Sequence, residues 1–299
     1  MFSRRHPFLF FMITMSIATF SFIILISFIL KSGGRGSGFV SGDKVGIIEI
    51  TGVIVDSKSI IENIKNYRED ESIKAIVLRI DSPGGGVGPS QEIFHEIQKT
   101  VKQKKVIASM GAVAASGGYY IAAGANGIMA NPGTITGSIG VIMGYTNFQE
   151  IFQKIGLIPI VIKSGEFKDM GSPVREMTEQ EKKILQGFVN QIHHQFVKDA
   201  SKGRSMDYQK MKSLADGRIF TGEEAKGLGL IDRIGNLEDA IEWAGRLGGI
   251  KGKISRIYPE EKGMDLLKQF MSSSVNQLLE NTFRSHMTAG YLFQPPTGR

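Results

Sequence analysis

Two hydrophobic rhythms run along this chain, and their order predicts its architecture. After residue 42, short apolar runs rich in β-branched residues alternate with stretches whose apolar positions recur every three or four residues. The runs at 45–50, 73–80, 106–108, 127–130, 138–143 and 158–162 read as strands. Between them, Ile60, Ile61 and Ile64 mark a helix capped by Asp56 or Ser57 and ending near Tyr67. Ile93, Phe94, Ile97 and Val101 mark a second helix over 89–103, and 148–155 reads as a third. Thr178 with Glu181 forms a capping-box pair ahead of the strongest helical pattern, which carries Ile184, Phe188, Ile192 and Phe196. Shorter helices are predicted near 207–215 and 238–245. Strands alternating with helices imply an α/β fold with a largely parallel sheet covered by helices.

The two ends break this rhythm. Residues 8–30 carry no charge, and about 20 apolar residues suffice to cross a hydrocarbon core as a helix. Arg4 and Arg5 precede the run, and Lys31 and Arg35 follow it. The positive-inside tendency predicts one membrane span, with the N-terminus cytoplasmic and the bulk of the chain on the extracytoplasmic side. A cleaved signal peptide would have a shorter apolar region, ~7–15 residues, and a small-residue cleavage site that residues 29–33 do not supply. The expected organisation is an N-terminal anchor over 1–31, a flexible tether over 32–42 (GGRGSGFVSG at 33–42), a folded domain over 43–258 and an extension over 259–299. In that extension Leu267, Phe270, Met271, Val275, Leu278 and Leu279 pattern an amphipathic helix, and 291–299 reads as loose.

Composition narrows the chemistry. The chain has no cysteine, which removes disulfides, thiol nucleophiles and thiolate metal sites. Its net charge of +7 includes Arg4, Arg5, Lys31 and Arg35 from a leading stretch without acids. What remains is too little, spread over the rest of the chain, to argue for nucleic acid.

One stretch organises the candidate chemistry. In residues 105–126, KVIASMGAVAASGGYYIAAGAN, a buried strand runs through small residues into Ser116, and Gly117-Gly118 open a helix. A serine oxygen is thereby placed at a helix start, where unpaired backbone N–H groups collect, and such a site can hold a nucleophile and an oxyanion together. The glycines at 84–88 invite a dinucleotide reading, but Pro89 stands where the third glycine belongs, and there is no phosphate-binding lysine motif. No zinc-peptidase spacing exists: His95-Glu96 is followed by Lys99, and His193 and His194 are adjacent. The histidines lie in charged helical stretches, which argues against a Ser-His-Asp triad. Lysine is the remaining base, and it must be neutral to act, which requires burial that lowers its pKa from ~10.4. Lys163 and Lys168, after an apolar run, are the candidates.

Four segments, DSPGGG at 81–86, SMGAVAASGGYY at 109–120, NPGTITGSIGV at 131–141 and KSGEFKDMGSPVREMT at 163–178, together resemble the signal peptide peptidase A family. These are membrane-anchored Ser-Lys peptidases related in fold to Clp protease and the crotonases. The likeness covers residues 45–248 and matches the short form of the family. It implies a Clp protease/crotonase-like α/β fold, with Ser116 as nucleophile, Lys168 as general base and Ser138 orienting that base. It also implies an oxyanion hole from the backbone amides of Gly85 and Gly117. No metal or organic cofactor is implied. The implied partners are remnant signal peptides and other short unstructured peptides, the bilayer, and further copies of the chain in a ring-shaped homo-oligomer. In such a ring the lysine of one protomer can serve the serine of its neighbour. A crotonase-like acyl-CoA enzyme and a non-catalytic membrane scaffold are the competing readings. The first needs neither Ser116 nor Lys168, and the second shows no turnover.

Overall fold

The computed structural model describes residues 42–259, scattered helical positions between Phe8 and Phe22, and Gly290–Leu292. Most of the apolar run at 8–30, nearly all of the tether and the amphipathic pattern at 267–279 lie outside the described residues. Among the described residues, no helix is long and apolar enough to cross a membrane.

The domain is built on parallel strands. β1 (Lys44–Thr51) and β2 (Ile73–Ser82) pair in parallel and are joined through helix α1 (Lys58–Glu69). After β2, Pro83 interrupts the chain, and Gly84–Gly86 form a separate short strand, β3, before helix α2 (Val87–Thr100). β4 (Lys105–Ala115) pairs with β2 along one edge. Its other edge is shared: β5 (Gly127–Ala130) takes positions 107–109 and β6 (Ile135–Gly137) takes positions 113–115, both in parallel. Helix α3 (Gly117–Ala122) lies between β4 and β5 in sequence.

Beyond β6 come α4 (Gln149–Lys154), the long α5 (Glu179–Gly203), α6 (Tyr208–Leu214), β7 (Ile219–Thr221), α7 (Gly222–Leu228), β8 (Arg233–Ile234), α8 (Leu237–Leu247) and β9 (Ser255–Ile257). β7 is antiparallel to β6, whereas β8 and β9 extend the sheet in parallel from β5 and β1. This is the mixed α/β, largely parallel architecture that the alternation predicted.

Both faces of the sheet are covered, as parallel sheets require. On one, Ile48, Ile50, Ile76, Leu78 and Ile80 pack with Ile64, Ile93, Ile97 and Phe196 from the helices. On the other, Val45, Ile47, Ala75, Val77 and Ile107 pack beneath Ile241, Trp243 and Ala244 of α8. Alternate residues of apolar strands therefore feed opposite cores.

The capping box of α5 forms as predicted: Glu181 N–H donates to Thr178 Oγ1 (3.2 Å), and Thr178 N–H donates to Glu181 Oε2 (2.8 Å). Its apolar face is divided. Ile192 and Phe196 are buried, with the Tyr120 and Phe196 rings 4.9 Å apart, whereas Ile184 and Phe188 are exposed.

Three sequence expectations change. The run at 158–162 forms no strand, and its Ile158, Ile160 and Ile162 are exposed, Ile162 by 97%. No described strand edge of the domain pairs with it. The strand expected at 138–143 ends instead at Gly137, because Ser138 takes a positive φ of 50° that a ladder does not accommodate. Within the tail read as loose, Gly290–Leu292 form a strand, β10.

Phe196 ties α5 to the core, so Phe196→Ala is expected to cost about 3–5 kcal/mol of unfolding free energy. Urea titration checks this, and a loss below about 1 kcal/mol would mean that the helix is not anchored there.

Candidate active site

The nucleophile candidate sits where β4 stops. Ala115 is the last residue of β4, in register with Gly137, the last of β6. The next residues on these adjacent strands are Ser116 and Ser138. Ser116 N–H donates to the Gly137 carbonyl (2.8 Å), and Ser138 N–H donates to the Arg218 carbonyl (2.8 Å). These bonds bring the two serines side by side at the strand ends.

Ser116 pays for that position in backbone strain. It has φ 53° and ψ −114°, then caps α3, where Tyr120 N–H donates to its carbonyl (2.8 Å). A non-glycine residue held in such a region costs about 1–3 kcal/mol. A strained turn from strand to helix is how a serine hydroxyl is presented ahead of the helix amides. Ser116 is 1% exposed as a whole residue, and Ser138 is also buried.

The two candidate oxyanion glycines are brought together as well. A Cβ on Gly117 would lie 2.7 Å from Ser90 Oγ and 3.2 Å from Gly85 N. Gly117 therefore rests against the strand that carries Gly85. At Gly85 itself a Cβ would run into the backbone of Ile54. Ile54 bridges β3 in parallel: its N–H donates to the Gly84 carbonyl (2.9 Å), and Gly86 N–H donates to its carbonyl (2.7 Å). The absence of a side chain at Gly85 is thus demanded by the chain's own packing. The neighbouring motif residues hold this strand in place. Ser82 Oγ donates to the Gly52 carbonyl (2.6 Å) and accepts from Gly84 N–H (3.1 Å), and Ser90 Oγ donates to the Gly86 carbonyl (2.8 Å).

Gly290–Leu292 pair antiparallel with Gly84–Gly86, with Tyr291 opposite Gly85. An extended backbone thus lies along the glycine strand, beside the serine.

Lys168 is not part of this cluster. It lies in an irregular stretch between α4 and α5 and is exposed. Its side chain has no hydrogen bond to Ser116 or Ser138 among the described residues. The other candidate, Lys163, is engaged: its ammonium donates to Asp169 Oδ1 (2.6 Å) and to the Glu166 carbonyl (2.7 Å). Of the two lysines, Lys168 is the one whose amine is left for other work. The histidines serve elsewhere. His194 Nδ1 pairs with Tyr208 Oη (2.8 Å), His95 packs edge-on against Phe94, and His193 Nε2 is buried without a partner among the described residues.

The sequence singles out the serines, the glycines and the lysine as candidates, but gives no sign of Ile54, β10 or the ion pairs of Asp169 and Arg175. Ile54 and β10 meet β3 only through long-range pairing. The charged residues sit in an irregular stretch with no period to reveal them. Only the capping partner Glu181 left a local signal.

Comparison with known proteins identifies the family. Residues 98–251 match the profile of peptidase family S49, and residues 43–136 match that of Clp protease. The chain is 46% identical over 209 residues to a putative protease of Synechocystis, covering 69% of this chain and 75% of that protein. It is 38% identical to a putative signal peptide peptidase SppA of Enterococcus faecium, covering 68% of this chain and 63% of that one. A putative protease of Methanocaldococcus jannaschii is 33% identical, with coverage of 74% and 72%.

Crowding against Ile54 predicts that Gly85→Ala loses about 1–3 kcal/mol of stability through overpacking. Gly88→Ala is the control: a Cβ there meets nothing within 4 Å, and alanine is favoured over glycine in a helix by about 1 kcal/mol. Chemical denaturation of both variants should give opposite signs, and equal effects would contradict the packing account.

Proposed function

The chain belongs to peptidase family S49, the signal peptide peptidase A family of serine proteases, and from that premise we propose that it is a membrane-anchored endopeptidase using a Ser116–Lys168 dyad. Neutral Lys168 takes the Ser116 proton as Oγ attacks a peptide carbonyl, and the oxyanion forms against the Gly85 and Gly117 amides. The lysine then protonates the leaving amine, and water releases the acyl group with Lys168 again as base. Ser138, beside Ser116 at the strand ends, orients the lysine amine. A Ser-Lys pair is one variant of the triad logic and needs no histidine.

The observation that carries this reading is β10 on β3. An extended backbone laid antiparallel along the strand of Gly85 is how a peptide substrate adds to a sheet edge. It favours peptides over an acyl-CoA thioester, which presents no strand to pair. The substrates are remnant signal peptides and other short unstructured peptides, for which an extended form is readily reached.

The dyad is completed between protomers of a ring-shaped homo-oligomer. Two observations support this: Lys168 does not bond Ser116 within the chain, and the preceding stretch exposes Ile158, Ile160 and Ile162. Burying such a side chain is worth about 1.5–3 kcal/mol, and a neighbouring copy that covers the stretch would also supply the burial a base lysine needs. The apolar run at 8–30 supports a single span of the cell membrane, with a cytoplasmic N-terminus and the catalytic domain outside.

Ser116→Ala and Lys168→Ala should each abolish cleavage of a signal-peptide-like substrate without unfolding the domain. Retained turnover in either would sink the dyad. Mixed assemblies of the two variants should regain part of the activity if the dyad is shared, and silence would place both partners in one chain. With an amine as base, the pH–rate profile rises as the ammonium proton is lost. A flat profile from acid to alkaline pH would exclude lysine.

A further inference from the structure

A network of charged side chains beside Lys168 has no part in the chemistry described so far. Asp169, the next residue, accepts from Arg175 twice through its carboxylate, Nε to Oδ2 (2.8 Å) and Nη2 to Oδ1 (3.0 Å). Its backbone carbonyl accepts from Arg175 Nη2 as well (3.2 Å). On its other side the same guanidinium reaches Glu181, with Nη1 donating to Oε2 (2.9 Å) and Nη2 donating to Oε1. Nη1 also donates to the Glu176 carbonyl (2.9 Å). Glu181 is buried and completes the cap of α5, the helix whose later turns are fixed in the core. The remaining cation is Lys163, on Asp169 Oδ1. Lys182 pairs outward with Glu179.

We propose that Arg175 is a positioning residue for the general base, tying the backbone that carries Lys168 to the first turn of α5 and neutralising the carboxylate next to it. The proposal rests on the Ser116–Lys168 reading and adds the residue that aims the lysine.

The stretch around Lys168 has no ladder of its own. Its internal backbone bonds are turns, Lys168 N–H to the Gly165 carbonyl (3.2 Å), Met170 to Phe167 (3.2 Å) and Ser172 to Asp169 (2.9 Å). A catalytic group must be held within about 0.5 Å of its working place, and local turns alone do not provide that. Arg175 provides the tie by presenting paired N–H donors to each of two carboxylates, a bidentate fit that the planar guanidinium makes and an ammonium does not.

The second effect is electrostatic. A free carboxylate one residue from the base would favour its charged, inactive ammonium form. Here both Asp169 oxygens are engaged by Arg175 and Lys163. Arg175, and after it Lys163, hold the Asp169 carboxyl well below the usual carboxylate range. Arg175, with the Thr178 amide, brings Glu181 down to about 2. Both values are depressed, so the tie is complete above the ordinary carboxylate range and is lost only as the pH falls through the lowered values. It stays fully charged wherever an amine base titrates.

The test uses the full-length protein and measures peptide hydrolysis against pH for wild type, Arg175→Ala, Arg175→Lys and Lys168→Ala. Loss of the tie should lower kcat about 10–100-fold, the scale of a misplacement of roughly 1 Å, with KM unchanged. The ascending limb should move to higher pH, because Asp169 is no longer neutralised from one side. Arg175→Lys should recover little of the rate, and it carries the test if Arg175→Ala does not fold. Wild-type kcat and an unmoved limb in the Arg175 variants, with Lys168→Ala inactive, overturn the positioning role alone. A fall in kcat with an unmoved limb and a lower melting temperature is what a merely structural arginine gives, and overturns it too. Turnover in Lys168→Ala would instead overturn the dyad, and this proposal with it.

Discussion

The site depends on one strand carrying two neighbours along a single edge. β4 is long enough for β5 to take its first half and β6 its second. Because β6 ends in register with β4, the carbonyl of Gly137 is available to the amide of Ser116. That bond fixes the serine at the moment the chain leaves the sheet, and the turn into α3 must then absorb a positive φ. The buried strands on both sides of β4 over-determine the position, which is how a strained residue persists.

The same constraint places the rest of the cluster. β2 lies on the opposite edge of β4, so the residues after β2 emerge next to those after β4. Gly84–Gly86 and Gly117 thus come together without any sequence proximity between them. Ile54 then fixes β3 from one side, leaving its other side to an extended backbone. The serine, the two glycine amides and a strand-accepting edge are consequences of parallel register, not of a dedicated loop.

Lys168 belongs to a different regime. Nothing in the sheet holds it; its stretch is irregular and exposed, and so are Ile158, Ile160 and Ile162 earlier in the same connection. Its local order comes from charge, through Lys163, Asp169, Arg175 and Glu181. The domain thus combines a sheet-centred body, set by hydrophobic burial and ladder bonds, with one irregular stretch tied by an ion-pair network.

By itself the sequence determined what is local. Alternating apolar runs specified the parallel strands and their covering helices, the Thr178–Glu181 pair specified where α5 starts, and the small residues ahead of Ser116 marked the turn that presents it. The four motifs named the family, because residue types at fixed spacing survive in the linear text. The tertiary structure decided what depends on contacts between distant segments. It showed that Gly85 is glycine because Ile54 crosses it, that residues 290–292 lie along that glycine strand, and that the apolar run at 158–162 finds no sheet to join. It also gave Arg175 its two carboxylates. A hydrophobic run announces that it will be buried, but not by what, and a charged residue in a loop carries no period from which its partner can be read.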